Sequence, residues 1–355
     1  MKIVYRTFLI FYLFLFACKK DKGDAATGSD IRTFFIPQAT NSAIDFNNKK
    51  VIVEIADYYS RSHLIPVFQL STGARALVEN VEQRSATTAN NFANPVIYTI
   101  VAEDGSLTNW TVSLVSNNSR IGLRGTVDAE KRIERDFDWY YSQDTSGEFS
   151  HINGGAAVIG MAMRFASRTT YINPSILQIR NEAKPPYMTD FGLQANPFLP
   201  ADIINYLKIK EVPTKIVALS SGHNSIFNAI NSGYPVALIV NFSKVRPNPN
   251  LSEHTHRFYE INSAISPHYI IVKGYKQIGG ILYFECYDPK SKGMRYPTNG
   301  ESKGRNRYYN ASDVWAGVSA YGGWQYGIII GEKGRVLPPF INEVGIREIE
   351  QAEGY

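Results

Sequence analysis

The sequence predicts two domains, an all-β sandwich followed by an α+β domain in which a buried helix packs on an antiparallel sheet. Three observations carry this. Residues 30–116 hold only short β-type runs separated by turn residues. From Asp136 the pattern becomes mixed, and the almost wholly apolar run Ala156 to Arg168 is long enough for a helix. After Gly233 strand-like runs return, the longest two folding about Gly279-Gly280.

The N-terminus comes first in the order of elements. Lys2 and Arg6 precede an uncharged apolar run, Phe8 to Phe16, which ends in Leu15-Phe16-Ala17-Cys18. That is the secretory-signal pattern, and it is shorter than the roughly 20 apolar residues a membrane span needs. A small residue followed by cysteine resembles the lipobox of bacterial lipoproteins. The resemblance implies a lipoprotein signal over residues 1–18 with cleavage just before Cys18, lipidation of that thiol, and attachment to a membrane at the cell envelope, the outer membrane or cell surface being expected. Acyl chains at roughly 0.8 kcal/mol per buried methylene would make the attachment firm. Residues 19–29 are small, polar and charged, and read as a flexible tether.

Composition narrows the partners. The net charge is +5, with no block of Lys and Arg interleaved with aromatics, so no nucleic-acid partner is expected. Of the two cysteines, one carries the implied lipid. Cys286 is then alone, and no intramolecular disulfide can form. His254 and His256 have metal-ligand character but no third ligand in view, so they read as a solvated loop. No metal or cofactor is expected.

Within residues 30–116, Val51, Val53 and Ile55 alternate with Ile52, Glu54 and Ala56 after the Asn47-Asn48 turn. Leu64 to Leu70 and Ala74 to Val78 are further short strands. Val96 to Val115 reads as a hairpin turning at Asp104-Gly105, where glycine accepts the positive φ such turns need. About 85 residues of short strands without a helical period argue for an immunoglobulin-like sandwich. Through "YTIVAEDGSLTNWTVSLV" it also resembles the Ig-like modules near the N-terminus of bacterial surface lipoproteins, which implies a spacer or adhesion role. Residues 117–135 are polar and read as linker. In the domain over 136–335, helices are expected at 156–168, 174–183, 200–208 and 225–232, and strands at 235–242, 268–276, 281–288 and 326–330. Residues 336–355 read as a polar tail.

Asp138 to Gln143 (DWYYSQ) is followed by Asn153-Gly154-Gly155-Ala156 and by Met161. These residues resemble the C39-like, papain-fold cysteine peptidases, in which a glutamine, a loop and Cys-Gly-Pro open the central helix, with methionine seven residues after the cysteine. "SGYPVALIVN", "SPHYIIVKGY", "LYFECYDP" and "GIII" extend the likeness over residues 136–332. It implies that Gln143 is the oxyanion glutamine, His268 the catalytic histidine and Asp288 its orienting acid. The cysteine position falls on Gly154 and the proline on Ala156.

Hairpin geometry supports the pairing separately, because folding about Gly279-Gly280 brings His268 and Asp288 to one end of neighbouring strands. A thiol at the helix start would be activated by the imidazole and the helix N-terminus. Glycine supplies none. Ser150 and His151 lie in the preceding loop, off the helix start, and Cys286 reads as a small core residue. The expectation is therefore a membrane-anchored lipoprotein whose peptidase-like domain binds a peptide or another ligand without cleaving it. The alternative is an active hydrolase that uses another nucleophile or belongs to an active lineage.

Overall fold

The computed structural model describes residues 26–56, 59–117, 121–125, 127–171, 173–190, 192–194, 196–219, 222–297, 299–320 and 325–353. The signal segment and Cys18 lie outside these residues, as does most of the tether. Among the described residues no helix is long and apolar enough to cross a membrane.

The N-terminal part is all sheet. It comprises β1 (Ile31–Phe35), β2 (Ala39–Asp45), β3 (Lys50–Ala56), β4 (Val67–Leu70), β5 (Arg75–Val78), β6 (Val81–Gln83), β7 (Val96–Val101) and β8 (Leu107–Asn117). A six-stranded sheet runs in the order β2-β3-β8-β7-β5-β6, and β1 pairs with β4 separately. Alternation decides which side chains meet. Val51, Val53 and Ile55 of β3 are fully buried, and they share one core with Tyr98, Trp110 and Val112 and with Ile31, Phe34 and Phe68 of the small sheet. Gly105 takes φ +89° in the β7–β8 turn, and Asp104 Oδ1 accepts from Ser106 N and Oγ at 2.8 and 2.7 Å. One pairing is absent from the sequence pattern: β3 lies parallel to β8. Alternation reports which face is buried and is silent about which edge pairs with which.

Eight of the ten remaining strands form one antiparallel sheet. They are β9 (Val127–Arg132), β12 (Thr214–Ala218), β13 (Val236–Asn241), β14 (Pro267–Ile278), β15 (Ile281–Tyr287), β16 (Arg307–Asn310), β17 (Tyr326–Ile330) and β18 (Glu343–Val344). A separate hairpin pairs β10 (Tyr187–Thr189) with β11 (Gly192–Gln194). The helices are α1 (Gly154–Ser167), α2 (Ile176–Ala183), α3 (Pro200–Ile209), α4 (Asn224–Asn231), α5 (Ala311–Ser319) and α6 (Ile346–Glu353). Twelve of the fourteen residues of α1 are buried, in contact with β14, α2 and α3. A helix apolar on every side can only be satisfied inside a core.

β12, β16 and α5 form where no element was expected, and two further stretches differ from their reading. Residues 117–135, read as linker, contain β9, which pairs with residues 274–278 of β14, beyond the segment of β14 that β13 covers. Its side chains are mostly exposed and charged, so its backbone makes the pairing with no apolar face to betray it. Residues 336–355, read as a polar tail, contain β18 on β12 and α6 against α3, with Leu337, Phe340 and Ile349 buried. Pro338-Pro339 turns the chain without ending the fold.

Candidate active site

The site is built where α1 begins beside the first residues of β14. The loop before α1 is held by Asn153, which is fully buried. Its Nδ2 donates to Ser146 Oγ at 2.9 Å, and its Oδ1 accepts from Arg180 Nε at 2.7 Å. Arg180, itself fully buried, also donates to the carbonyls of Ile152 and Asn196 and lies 4.3 Å over the Phe198 ring. Burial pulls its guanidinium down to about 10. Nothing in the sequence marks Arg180, because these partners come from two separate segments, 152–153 and 196–198.

Gly154 is the first residue of α1, and a β-carbon there would point into the site. It would stand 3.1 Å from Gln143 Oε1 and 3.7 Å from His268 Nδ1. On the far side of the imidazole, His268 Nε2 meets Asp288 Oδ1 at 2.5 Å. The Asp288 carboxylate is fully buried, and its acceptors are met. Oδ1 also takes the Lys290 N–H at 2.8 Å, and Oδ2 takes the Tyr309 hydroxyl at 2.6 Å. Burial and the neighbouring Asp288 charge hold the Tyr309 phenol well above its usual range, so it stays a donor. Tyr309 was missed by sequence reasoning: β16 reaches this place only through pairing with β15.

The ring is fixed in orientation. Phe242 lies edge-on to His268 with centroids 4.7 Å apart, and Tyr259 lies at 6.5 Å. Gln143, His268 and Asp288 retain 2, 8 and 0% of their surface. These three side chains thus sit in a closed interior. His268 Nδ1 makes no hydrogen bond among the described residues, whose polar contacts place Nε2 on Asp288 alone.

Gln143 is near the helix start but turned away from the role its position suggests. Its Nε2 donates to the carbonyls of Ser150 and His151 at 2.8 and 3.3 Å. Only the amide nitrogen can meet two carbonyl oxygens, so the orientation follows from chemistry. Oε1 is left buried without a hydrogen-bond partner, facing position 154. An acceptor there offers nothing to a developing oxyanion.

Geometrically, then, the four positions 143, 154, 268 and 288 come together, and an imidazole oriented by a carboxylate faces a residue without a side chain. Such a base activates a nucleophile held at hydrogen-bond reach. With glycine at 154 there is none to activate. Cys286 does not fill the gap: it is fully buried in β15, and burial together with the Asp288 and Glu285 charges pushes its thiol well above the ordinary range. The loop reading of His254 is corrected. His254 is fully buried and stacked on Tyr296 with centroids 3.6 Å apart, because the chain folds back along β16 at Thr255. His256 is partly buried. No group of residues able to hold a metal ion occurs among the described residues.

Residues 31–114 match the family model described as SGBP, N-terminal, the N-terminal domain of surface glycan-binding proteins. No curated protein matches the chain. Among solved structures, a Bacillus anthracis protein described as a C39-like peptidase is 14% identical, covering 59% of this chain and 100% of its own, with TM-score 0.35. A Bacteroides thetaiotaomicron protein described as a glycoside hydrolase is 14% identical over 87% of this chain and 91% of its own, with TM-score 0.23. A secreted protein of Bacteroides fragilis is 16% identical over 25% of this chain and 96% of its own, with TM-score 0.20.

Proposed function

We propose that this chain is a lipid-anchored surface protein that binds an extracellular glycan, and that its C-terminal domain is a peptidase-like body without peptidase chemistry. The observation that carries the absence of cleavage is the geometry at Gly154. His268 and Asp288 are paired and oriented, the neighbouring backbone occupies the place of a nucleophile, and no side chain projects from it. The turned amide of Gln143 agrees with this, since the oxyanion donor is missing too. The ligand class is supported by the match of residues 31–114 to the surface glycan-binding family. Anchorage rests on the signal run ending at Cys18, and the N-terminal module is read as an immunoglobulin-like spacer.

The test is a paired assay on the wild-type chain. Quenched fluorescent peptide libraries are expected to remain uncleaved, while affinity electrophoresis in gels containing neutral plant or microbial polysaccharides is expected to retard the protein. Peptide cleavage that disappears in His268→Ala would overturn the reading in favour of an active hydrolase.

A further inference from the structure

Away from the His268 centre, a cavity of about 220 Å³ lies where the N-terminal sheets meet the C-terminal part. One wall is N-terminal, from Ser60, Ser62 and His63. The other includes Asp136, Asp138 and Arg305. At roughly 30 Å³ per water the space equals about seven waters, room for a small polar molecule or one unit of a chain. Neither Gly154 nor His268 lines it.

Its chemistry selects a ligand class. Four cations (Arg132, Arg135, Lys273 and Arg305) are matched by four carboxylates (Glu134, Asp136, Asp138 and Glu301), so no net charge favours an anion or a cation. Such a wall offers donors and acceptors together, which suits a neutral molecule carrying many hydroxyls. Trp139 and Tyr287, with ring centroids 4.5 Å apart and almost wholly buried, form the floor behind these charges. Two of the lining arginines, Arg135 and Arg305, each bury an Nε that has no hydrogen-bond partner. Both Nε atoms are closed off from the cavity, so it is the outer guanidinium nitrogens and the carboxylates that would meet a ligand's hydroxyls. A second cavity of about 130 Å³ shares Arg132 and Glu134 with the first and adds Asn94, Glu130 and Lys276. The second lining carries one more cation than it has carboxylates, so the charge balance belongs to the first cavity alone.

We propose that the larger junction cavity is a binding site for one unit of a neutral oligosaccharide, held between the two parts of the molecule. The assignment rests on the glycan-binding reading above and adds to it a location and a sign of charge.

The test uses the full-length chain and isothermal titration with maltohexaose, cellohexaose, xylohexaose and mannohexaose, and with trigalacturonate as the acidic counterpart. The double variant His63→Ala/Asp136→Asn alters two exposed lining residues, one from each wall. Its fold is checked by circular dichroism and thermal melting. A neutral hexasaccharide is expected to bind wild type and to bind the double variant at least about tenfold more weakly. Unchanged binding in a folded double variant overturns this site and leaves the glycan-binding reading standing. Preference for trigalacturonate overturns the neutral assignment. If no sugar of the panel binds, the site and the reading both fall.

Discussion

A β-carbon on Gly155 would sit 2.4 Å from Phe198 Cβ, whereas one on Gly154 meets nothing nearer than Gln143 Oε1 at 3.1 Å. The two adjacent glycines are therefore different in kind. Gly155→Ala overpacks the contact of α1 with the Phe198 loop and is expected to cost about 1–3 kcal/mol, read as a lowered urea midpoint. Gly154→Ala is expected to cost clearly less, and equal losses would contradict the packing argument. Gly154 also has no positive φ to strain a larger residue. Gly154→Cys is thus expected to fold and to place a thiol between a helix N-terminus and His268 Nδ1. Ultraviolet thiolate absorbance should show the new thiol ionising below the ordinary cysteine range, and His268→Ala should remove that effect. Cys286 in the same protein serves as reference, since burial pushes its thiol the other way. Peptide hydrolysis should stay low in Gly154→Cys, because the Gln143 amide nitrogen remains committed to the 150–151 carbonyls. An ordinary thiol titration at 154 would sink the account of the site.

At the scale of elements, the segment between β13 and β14 matters most. It carries Tyr259 against His268 and His256 against Tyr283 and the Arg246–Asp313 pair. Burial, helped by the charge of Arg246, lowers His256 to about 4. In the unfolded chain it titrates near 6.5. Between those values the unfolded state binds the proton and the folded state does not, so stability is present above about pH 6.5 and is lost as pH falls toward 4. His256→Asn removes the titration while keeping a residue that tolerates its φ of +57°. Urea titrations across this pH range are expected to show a flatter dependence in the variant, and an unchanged slope would reject the assignment. Helix and strand positions were largely legible: α4 stops before Gly233 (φ +86°), and the β14–β15 hairpin turns at Gly279 and Gly280. β9 and α6 were not, because an exposed edge strand and a short helix against α3 leave little apolar signature in the chain.

At the scale of the whole molecule, two apolar cores are joined by a smaller cluster of Ala56, Ile121, Leu123, Ile278 and Tyr308. Glu134 ties the parts together. Its Oε2 accepts from Ser60 Oγ at 2.7 Å and Arg61 N at 2.9 Å, while Ser62 Oγ donates to the Arg135 carbonyl at 2.6 Å. Glu134→Ala leaves the Arg61 N–H unmet and is expected to cost about 1–3 kcal/mol at this junction. Hydrogen exchange should speed up at residues 60–62 and 127–135 with both cores still protected. Protection unchanged at the junction would show that the Glu134 contacts hold nothing there.

The sequence alone determined the periodicities that bury Val51, Val53 and Ile55 on one face, the apolar completeness of α1, the turns at Gly105 and Gly279-Gly280, and the lack of a thiol or hydroxyl at position 154. All are local properties, set by residue type and spacing. Tertiary structure decided what depends on residues far apart in the chain. It placed Tyr309 on Asp288 and Arg180 on Asn153, turned the Gln143 amide toward residues 150–151, closed the site over His268, and opened a charged cavity between residues 60–63 and 132–139. Hydrogen bonds and packing across such separations form only once the sheet has brought its strands together, and no spacing rule in one sequence records them.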